Sequence, residues 1–203
     1  HRVPLQVLSS FEDAIGSDRP GTLVGDEGMI AALGAAGGDG RMESKVVSGV
    51  AFSREEAKIT LQRVADRPGV ASTIFGPLSA AGVNVDMIVQ NVSDAGLTDM
   101  TFTVSLTDYE RALAVIEGAR EAIGFADVLA DRDVAKVSIV GTGMRSHVGV
   151  AQTMFQALAD EGVNIQVITT SEIKVSVLIE RKYLELAVRA LHSAFDLGTT
   201  AAE

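Results

Sequence analysis

The sequence has no cysteine, no tryptophan and only four prolines. Without cysteine there is no disulfide framework, no thiolate metal site and no thiol nucleophile. The three histidines, His1, His147 and His192, are far apart and form no His-x-x-x-His pattern. Aromatic residues make up 4% of the 203 residues against 47% hydrophobic residues overall, so a core must be aliphatic and rich in alanine. Basic groups are outnumbered, 17 Lys and Arg against 27 Asp and Glu, for a net charge of −10. That balance opposes non-specific attachment to nucleic acid or to an anionic membrane surface. No apolar run approaches the roughly 18–20 residues of a membrane span, and no signal peptide is evident. A cytoplasmic protein is expected, with no nucleic-acid or membrane partner. No nucleophile is paired with a base and no metal-ligand spacing occurs, which argues against an independent small enzyme. The first residue is His1 rather than Met, which predicts a piece of a longer protein.

What the sequence does contain is a repeat. GVASTIFGPLSAAGVNVDMIV (69–89) aligns without gaps on GVAQTMFQALADEGVNIQVIT (149–169), with 10 of 21 positions identical. A duplicated supersecondary unit is the reading such self-similarity demands.

Residues 1–24 hold a short strand-like run, Val3–Leu8, followed by a turn-rich tail. Residues 25–44 are glycine-rich without a sustained period and predict a flexible linker. From 45 onward the pattern is regular. Strands are expected at Val46–Phe52, Lys58–Val64, Val83–Val92, Asp99–Leu106 and Phe125–Leu129. Apolar spacing predicts a helix over 69–81, and Asp108 is placed to cap a second over Tyr109–Ile123, ended by Gly124. Ser93–Thr98 reads as a hairpin turn. Pro77, two turns into the first helix, predicts a bend or a shortened helix.

The order β-α-β-β-α-β is ferredoxin-like. The second copy runs strand 136–141, helix 149–161, strand 163–169, strand 173–179 and helix 182–195, then stops one strand short. Val46–Phe52 is the spare strand. The expected fold is therefore α+β, two ferredoxin-like βαββαβ domains forming two-layer sandwiches, tightly associated, with the first inserted into the second. The divisions are 1–44, then 53–132 for the first domain, 45–52 plus 133–197 for the second, and a tail at 198–203.

The repeated phrase also suggests a ligand. Gly69 and Gly149 stand where a strand hands over to a helix, whose free amides and dipole favour a carboxylate. Asn84 or Asn164 follows on the next strand. The first copy adds Asp66, Asp86 and Gln90, whose oxygens suit an ammonium. Together they describe a site for a zwitterion, a free amino acid. Phe75, Phe155, Leu78 and Leu158 read as core, Glu110, Arg111, Glu117, Arg120 and Glu121 as a solvated helix face with i,i+4 pairs, and His147 as a turn residue.

DRPGVA, NVDMIVQNVS, TDMTFTV, KVSIVGTGMRSHVGVA, NIQVITTSEIKVSVL and AVRALHSAF resemble the paired ACT domains of the aspartokinase (aspartate kinase) family, over residues 45–197. VPLQVLSSF and DRPGTLV resemble the end of that family's kinase domain, with Met42 as a start for a separate regulatory subunit. No Lys-Phe-Gly-Gly-Thr-Ser-type segment and no GxxxxGK[ST] loop is present, so ATP and magnesium are expected only in a kinase domain outside this chain, and no cofactor within it.

The resemblance implies feedback inhibition of aspartate phosphorylation by threonine, lysine or both, through ACT domains paired across a homodimer and acting on a catalytic subunit or domain. Asp66, Gly69, Ala71 and Gln90 would hold threonine, completed by Asn164 and Ile165 of a partner chain. Asp86, Ser146, His147, Thr170, Ser171 and Glu172 would form the lysine-like pocket. This chain reads Ser146-His147-Val148-Gly149-Val150 where the family has Ser-His-Pro-Gly-Val, and Gln166 where an acidic residue is common. The competing expectation is an ACT dimerisation module without a ligand.

Overall fold

The computed structural model describes residues 5–7, 22–24, 46–92, 96–141 and 147–197. The expected linker at 25–44, the tail at 198–203 and the tip of the 93–98 turn lie outside the described residues. The chain divides into two bodies, 1–45 and 46–203. In the first, β1 (Leu5–Val7) pairs antiparallel with β2 (Thr22–Val24), Leu5 opposite Val24. The second of these strands falls in the stretch read as a turn-rich tail. Three residues are too few to establish a period.

The second body is built on one six-stranded antiparallel sheet in the order β4-β5-β3-β6-β8-β7. Its elements are β3 (Gly49–Ala65), α1 (Val70–Ala80), β4 (Val85–Val92), β5 (Leu97–Ser105), α2 (Tyr109–Gly118), α3 (Arg120–Ile123), β6 (Asp127–Val140), α4 (Val150–Asp160), β7 (Ile165–Thr170), β8 (Lys174–Glu180), a 3-10 turn at Arg181–Tyr183 and α5 (Leu184–Ala194). The two ferredoxin-like units are both present. The difference from expectation is that four expected strands are two. Val46–Phe52 and Lys58–Val64 fuse into β3, and Phe125–Leu129 fuses with 136–141 into β6. Gly49–Ser53 pair with Lys136–Val140, while Lys58–Gln62 pair with Asp127–Asp131, the register shifting around Glu56. Such irregularities let one strand turn from one sheet half into the other without ending. The expected boundaries at 52/53 and 132/133 therefore fall inside continuous strands. Arg181 pins this junction, its guanidinium donating to the backbone carbonyls of Glu56, Arg132 and Val134.

Each unit buries one face of its strands under helices. Ala57, Ile59 and Leu61 of β3 with Met100, Phe102 and Val104 of β5 meet Val70, Ile74 and Leu78 of α1 and Ala112 and Ile116 of α2. Ala135, Val137 and Ile139 with Val175, Val177 and Ile179 meet Met154 and Leu158 of α4 and Leu184, Ala187 and Leu191 of α5. Alternation along the strands and three-to-four spacing along the helices produce these faces. Leu78 and Leu158 are fully buried, and Phe75 and Phe155 pack against the two cores. Phe75 also stands edge-on to Phe102 with ring centroids 5.4 Å apart, a geometry worth about 0.5–1.5 kcal/mol beyond the area buried.

Pro77 does not shorten α1, which has the same 11 residues as α4. Asp108 does not cap α2 with its side chain; its carboxylate pairs with Arg111 instead. The helix expected over 109–123 breaks at Ala119. The local charged pairs on this face are i,i+3 rather than i,i+4, as in Glu117–Arg120 at 2.8 Å, while Glu110 pairs with the distant Arg132 at 3.2 Å.

The helix-free face is not left bare. Met87 of β4 packs against Val134 of β6 and Leu178 of β8, with Val167 of β7 beside them. The sheet thus brings β4, the edge strand of the first unit, against strands of the second.

Candidate functional site

The repeated Gly-Val-Ala-x-Thr-x-Phe phrase has a local explanation in both copies. Gly69 and Gly149 take positive φ, 92° and 99°, as the residues preceding α1 and α4. Thr73 and Thr153 each return a side-chain hydrogen bond to that glycine's carbonyl, at 3.1 and 3.2 Å. A Cβ on either glycine would meet nothing within 4 Å, so backbone conformation, not crowding, calls for glycine here. These geometries also leave the first helical amides of Ala71 and Ser72 without an acceptor among the described residues, the usual state of a helix start.

Beside that helix start the structure gathers four of the six residues expected to hold a threonine-like ligand. Gln90 on β4 donates through Nε2 to Asp66 Oδ1 at 3.5 Å. Asp66 is fixed by its own amide, which donates to Gly96 at 2.9 Å, and Gly69 and Ala71 follow in the turn. Asp66, Gly69, Ala71 and Gln90 are all exposed. The group offers an acid, an amide oxygen and open backbone N–H groups on one end of the first unit. Asn164 and Ile165 are at the start of β7 in the second unit, where Ile165 packs on that unit's core. Within the chain no hydrogen bond joins Asn164 or Ile165 to Asp66 or Gln90 among the described residues, and the expectation placed them on a partner copy.

Of the lysine-like set, Asp86 is on β4, His147 precedes α4, Thr170 ends β7, and Ser171 and Glu172 form the β7–β8 turn, closed by the Ser171 amide on the Lys174 carbonyl at 2.7 Å. Ser146 lies outside the described residues. Asp86 reaches the same cleft as the strand residues flanking this turn, a hollow of about 270 Å³ lined by Asp86, Met87, Ile88, Lys136, Thr169, Lys174 and Ser176.

Sequence reasoning missed what fills Asp86's neighbourhood. Lys136 Nζ, on β6, donates to Asp86 Oδ2 and pairs with the buried Glu56 at 2.9 Å. Burial works against the Lys136 ammonium, but its bonds to Asp86 and Glu56 outweigh that penalty and hold its pKa above the ordinary lysine value. On the same face Lys58 Nζ donates to Gln166 Oε1 of β7 and lies 3.9 Å from Asp131. The signal was in the sequence, since Lys58-Ile59-Thr60-Leu61 and Lys136-Val137-Ser138-Ile139 open the two repeats alike. No group of three or more His, Cys, Asp or Glu that could hold a metal ion occurs among the described residues, and no described helix is long and apolar enough to cross a membrane.

Signatures described as ACT domain match residues 59–121 and 137–195. The chain is 54% identical over 202 residues to an aspartate kinase of Pseudomonas putida, covering 99% of this chain and 45% of that protein. It is 45% identical over 200 residues to an aspartokinase of Mycobacterium tuberculosis, covering 98% and 44%. The chain thus spans less than half the length of these relatives. Among solved structures, one of aspartokinase alpha and beta subunits matches at 52% identity and TM-score 0.70, covering 74% of this chain and 99% of the matched one. The regulatory subunit of aspartate kinase from Thermus thermophilus, ligand-free, matches at 42% and TM-score 0.71 with the same coverage. Two ACT signatures on two ferredoxin-like units, matched end to end by regulatory subunits at these identities, place the chain in the aspartokinase family, as the part that carries its paired regulatory ACT domains.

Proposed function

We propose that the chain senses free amino acids for an aspartokinase, so that threonine, lysine or both restrain aspartate phosphorylation by a kinase domain or subunit outside it. The observation that carries this reading is the Asp66–Gln90 hydrogen bond beside the open amides of α1, on a chain with two ACT domains. The acid and amide oxygens suit an ammonium, and the helix start suits a carboxylate. In this reading Asp66, Gly69, Ala71 and Gln90 hold threonine, with Asn164 and Ile165 supplied by a second copy. Lysine uses Asp86 for its extra ammonium, with Ser146, His147, Thr170, Ser171 and Glu172 around it. The first ACT domain is inserted into the second, whose 45–52 segment runs into it through β3. The chain works as a cytoplasmic homodimer, needs no cofactor of its own, and leaves ATP and magnesium to the kinase part. Regulation follows if the effector binds one of two arrangements of the dimer more tightly, since only differential affinity shifts such an equilibrium.

Calorimetry with threonine and lysine, singly and together, alongside a mass measurement in solution, tests it. Saturable binding of either amino acid by a dimer supports the reading. A stable dimer that binds neither would make the chain a ligand-free dimerisation module.

A further inference from the structure

Two carboxylates face one ammonium on the helix-free side of the sheet. Glu56, from β3, is buried; Asp86, from the edge strand β4, is 43% exposed at its side chain; Lys136, from β6, touches both and is 17% exposed. Glu56 and Asp86 together carry one negative charge more than Lys136 neutralises. The exposed member of the trio, Asp86, opens onto the cleft that Thr169, Lys174 and Ser176 also line. In the arrangement observed, the acid that would receive a ligand's cation is already bonded to an ammonium of the chain itself. Lys136 nonetheless has somewhere to go, because Glu56 remains as its partner when Asp86 is surrendered. A displaced lysine is thus not stranded without a counter-charge, which would otherwise be prohibitive in a half-buried site.

We propose that Lys136 is a specificity-determining residue of this cleft, an internal competitor that a ligand's second ammonium must displace from Asp86 onto Glu56. The inference rests on the reading above that Asp86 receives lysine's side-chain ammonium. Competition of this kind selects for dibasic amino acids. A neutral side chain of equal length cannot replace Lys136 at Asp86, whereas a second ammonium can do so charge for charge. It also sets the concentration at which the cleft fills, since every binding event includes breaking the Lys136–Asp86 pair. Lys174, which lines the same cleft, offers a cation to the carboxylate end of a bound zwitterion.

The test is titration calorimetry of the full 203-residue chain with lysine and with norleucine, which has the same chain length and no side-chain ammonium. Removing Lys136 alone would leave Glu56 buried and unpaired, so the informative variant is Glu56→Gln with Lys136→Met, its folding checked by thermal melting. That double variant binds lysine about tenfold more tightly than the parent, with norleucine affinity unchanged, and Lys136→Arg keeps the parent affinity. Lysine affinity that stays the same or falls in the folded double variant, or an equal gain for norleucine, overturns the competitor role. Asp86→Asn separates the two readings. If it abolishes lysine binding while the double variant changes nothing, only the inference about Lys136 fails. If it leaves lysine affinity intact, the assignment of Asp86 to the pocket fails, and the inference falls with it.

Discussion

Lys58 and Lys136 occupy the same position in the two repeats, and each reaches the other repeat's second strand. Lys58 bonds Gln166 on β7, and Lys136 bonds Asp86 on β4. Asp86 and Gln166 are themselves equivalent, 80 residues apart like Gly69 and Gly149. The chain therefore clasps itself twice with approximate two-fold symmetry, once through an ion pair and once through a neutral amide.

That asymmetry is testable. Gln166→Glu converts the weaker clasp into a second ion pair on a half-buried lysine. It should raise stability by up to about 1 kcal/mol at low salt, the upper range for partly exposed pairs, and the gain should shrink at about 1 M salt, where the screening length is near 3 Å. Urea unfolding at both salt concentrations checks this. A midpoint that falls at low salt would mean that Lys58 is already satisfied by Asp131.

The stronger clasp should show itself at alkaline pH. The Lys136 pKa is raised in the folded chain. A raised lysine contributes its stability in full below the unfolded value, near 10.4, and loses it as pH climbs through the folded value. Melting midpoints of the parent and of the Glu56→Gln/Lys136→Met variant should therefore run parallel from about pH 7 to 9. Above roughly pH 10.4 the parent should fall more steeply. Curves that stay parallel throughout would remove the pair from the alkaline response.

Much of this architecture was legible from residues alone. Ten identities in the 69–89 and 149–169 segments exposed the duplication, and alternation and helical spacing located nearly every element. The fusion of strands into β3 and β6 was not legible. Both fusions depend on pairing between residues from 65 apart (Gln62 and Asp127) to 91 apart (Gly49 and Val140) in sequence, and local pattern around Glu56 or Asp131 carries no trace of it. The clasp was half legible. Two lysines opening KITL and KVSI stand in plain view, but their partners are 108 and 50 residues away, and only the twist of the sheet brings them together. Asp108 stands at the N-cap as expected but makes no side-chain cap bond, since Arg111 one turn on takes its carboxylate.

Glycines at the two helix starts should be costly to change in a particular way. Gly69→Ala and Gly149→Ala each force a Cβ into left-handed backbone, at about 1–2 kcal/mol. Asparagine, which tolerates that conformation, should recover part of the loss. Gly76→Ala, inside α1 with open space around it, should instead stabilise by about 0.8–1 kcal/mol. Gly141→Ala should be the most damaging of the set. Its Cβ would fall 1.9 Å from the Val46 carbonyl oxygen, so the strand entry at 46–47 must move. Denaturant midpoints at constant slope give the ranking, and a tolerated Gly141→Ala would contradict the close approach of the two backbones.

The ligand end of the first unit can be separated from its stability. Asp66 and Gln90 are exposed, and their mutual bond is long at 3.5 Å, so Asp66→Ala and Gln90→Ala should leave the melting midpoint nearly unchanged. If they hold an ammonium, each removes a hydrogen bond to a charged group, worth about 1.5–3 kcal/mol, or more than tenfold in threonine affinity. Asn164→Ala should weaken binding similarly while residing in the other repeat. Because no bond links Asn164 to Asp66 within one chain, mixing Asp66→Ala chains with Asn164→Ala chains is the sharper experiment. A site shared across two copies predicts that each mixed dimer regains one intact site of two, and since random pairing makes half of the dimers mixed, that threonine binding by the mixture returns to about a quarter of the parental stoichiometry. A mixture that binds no better than its parts would confine the site to a single chain or dissolve it altogether.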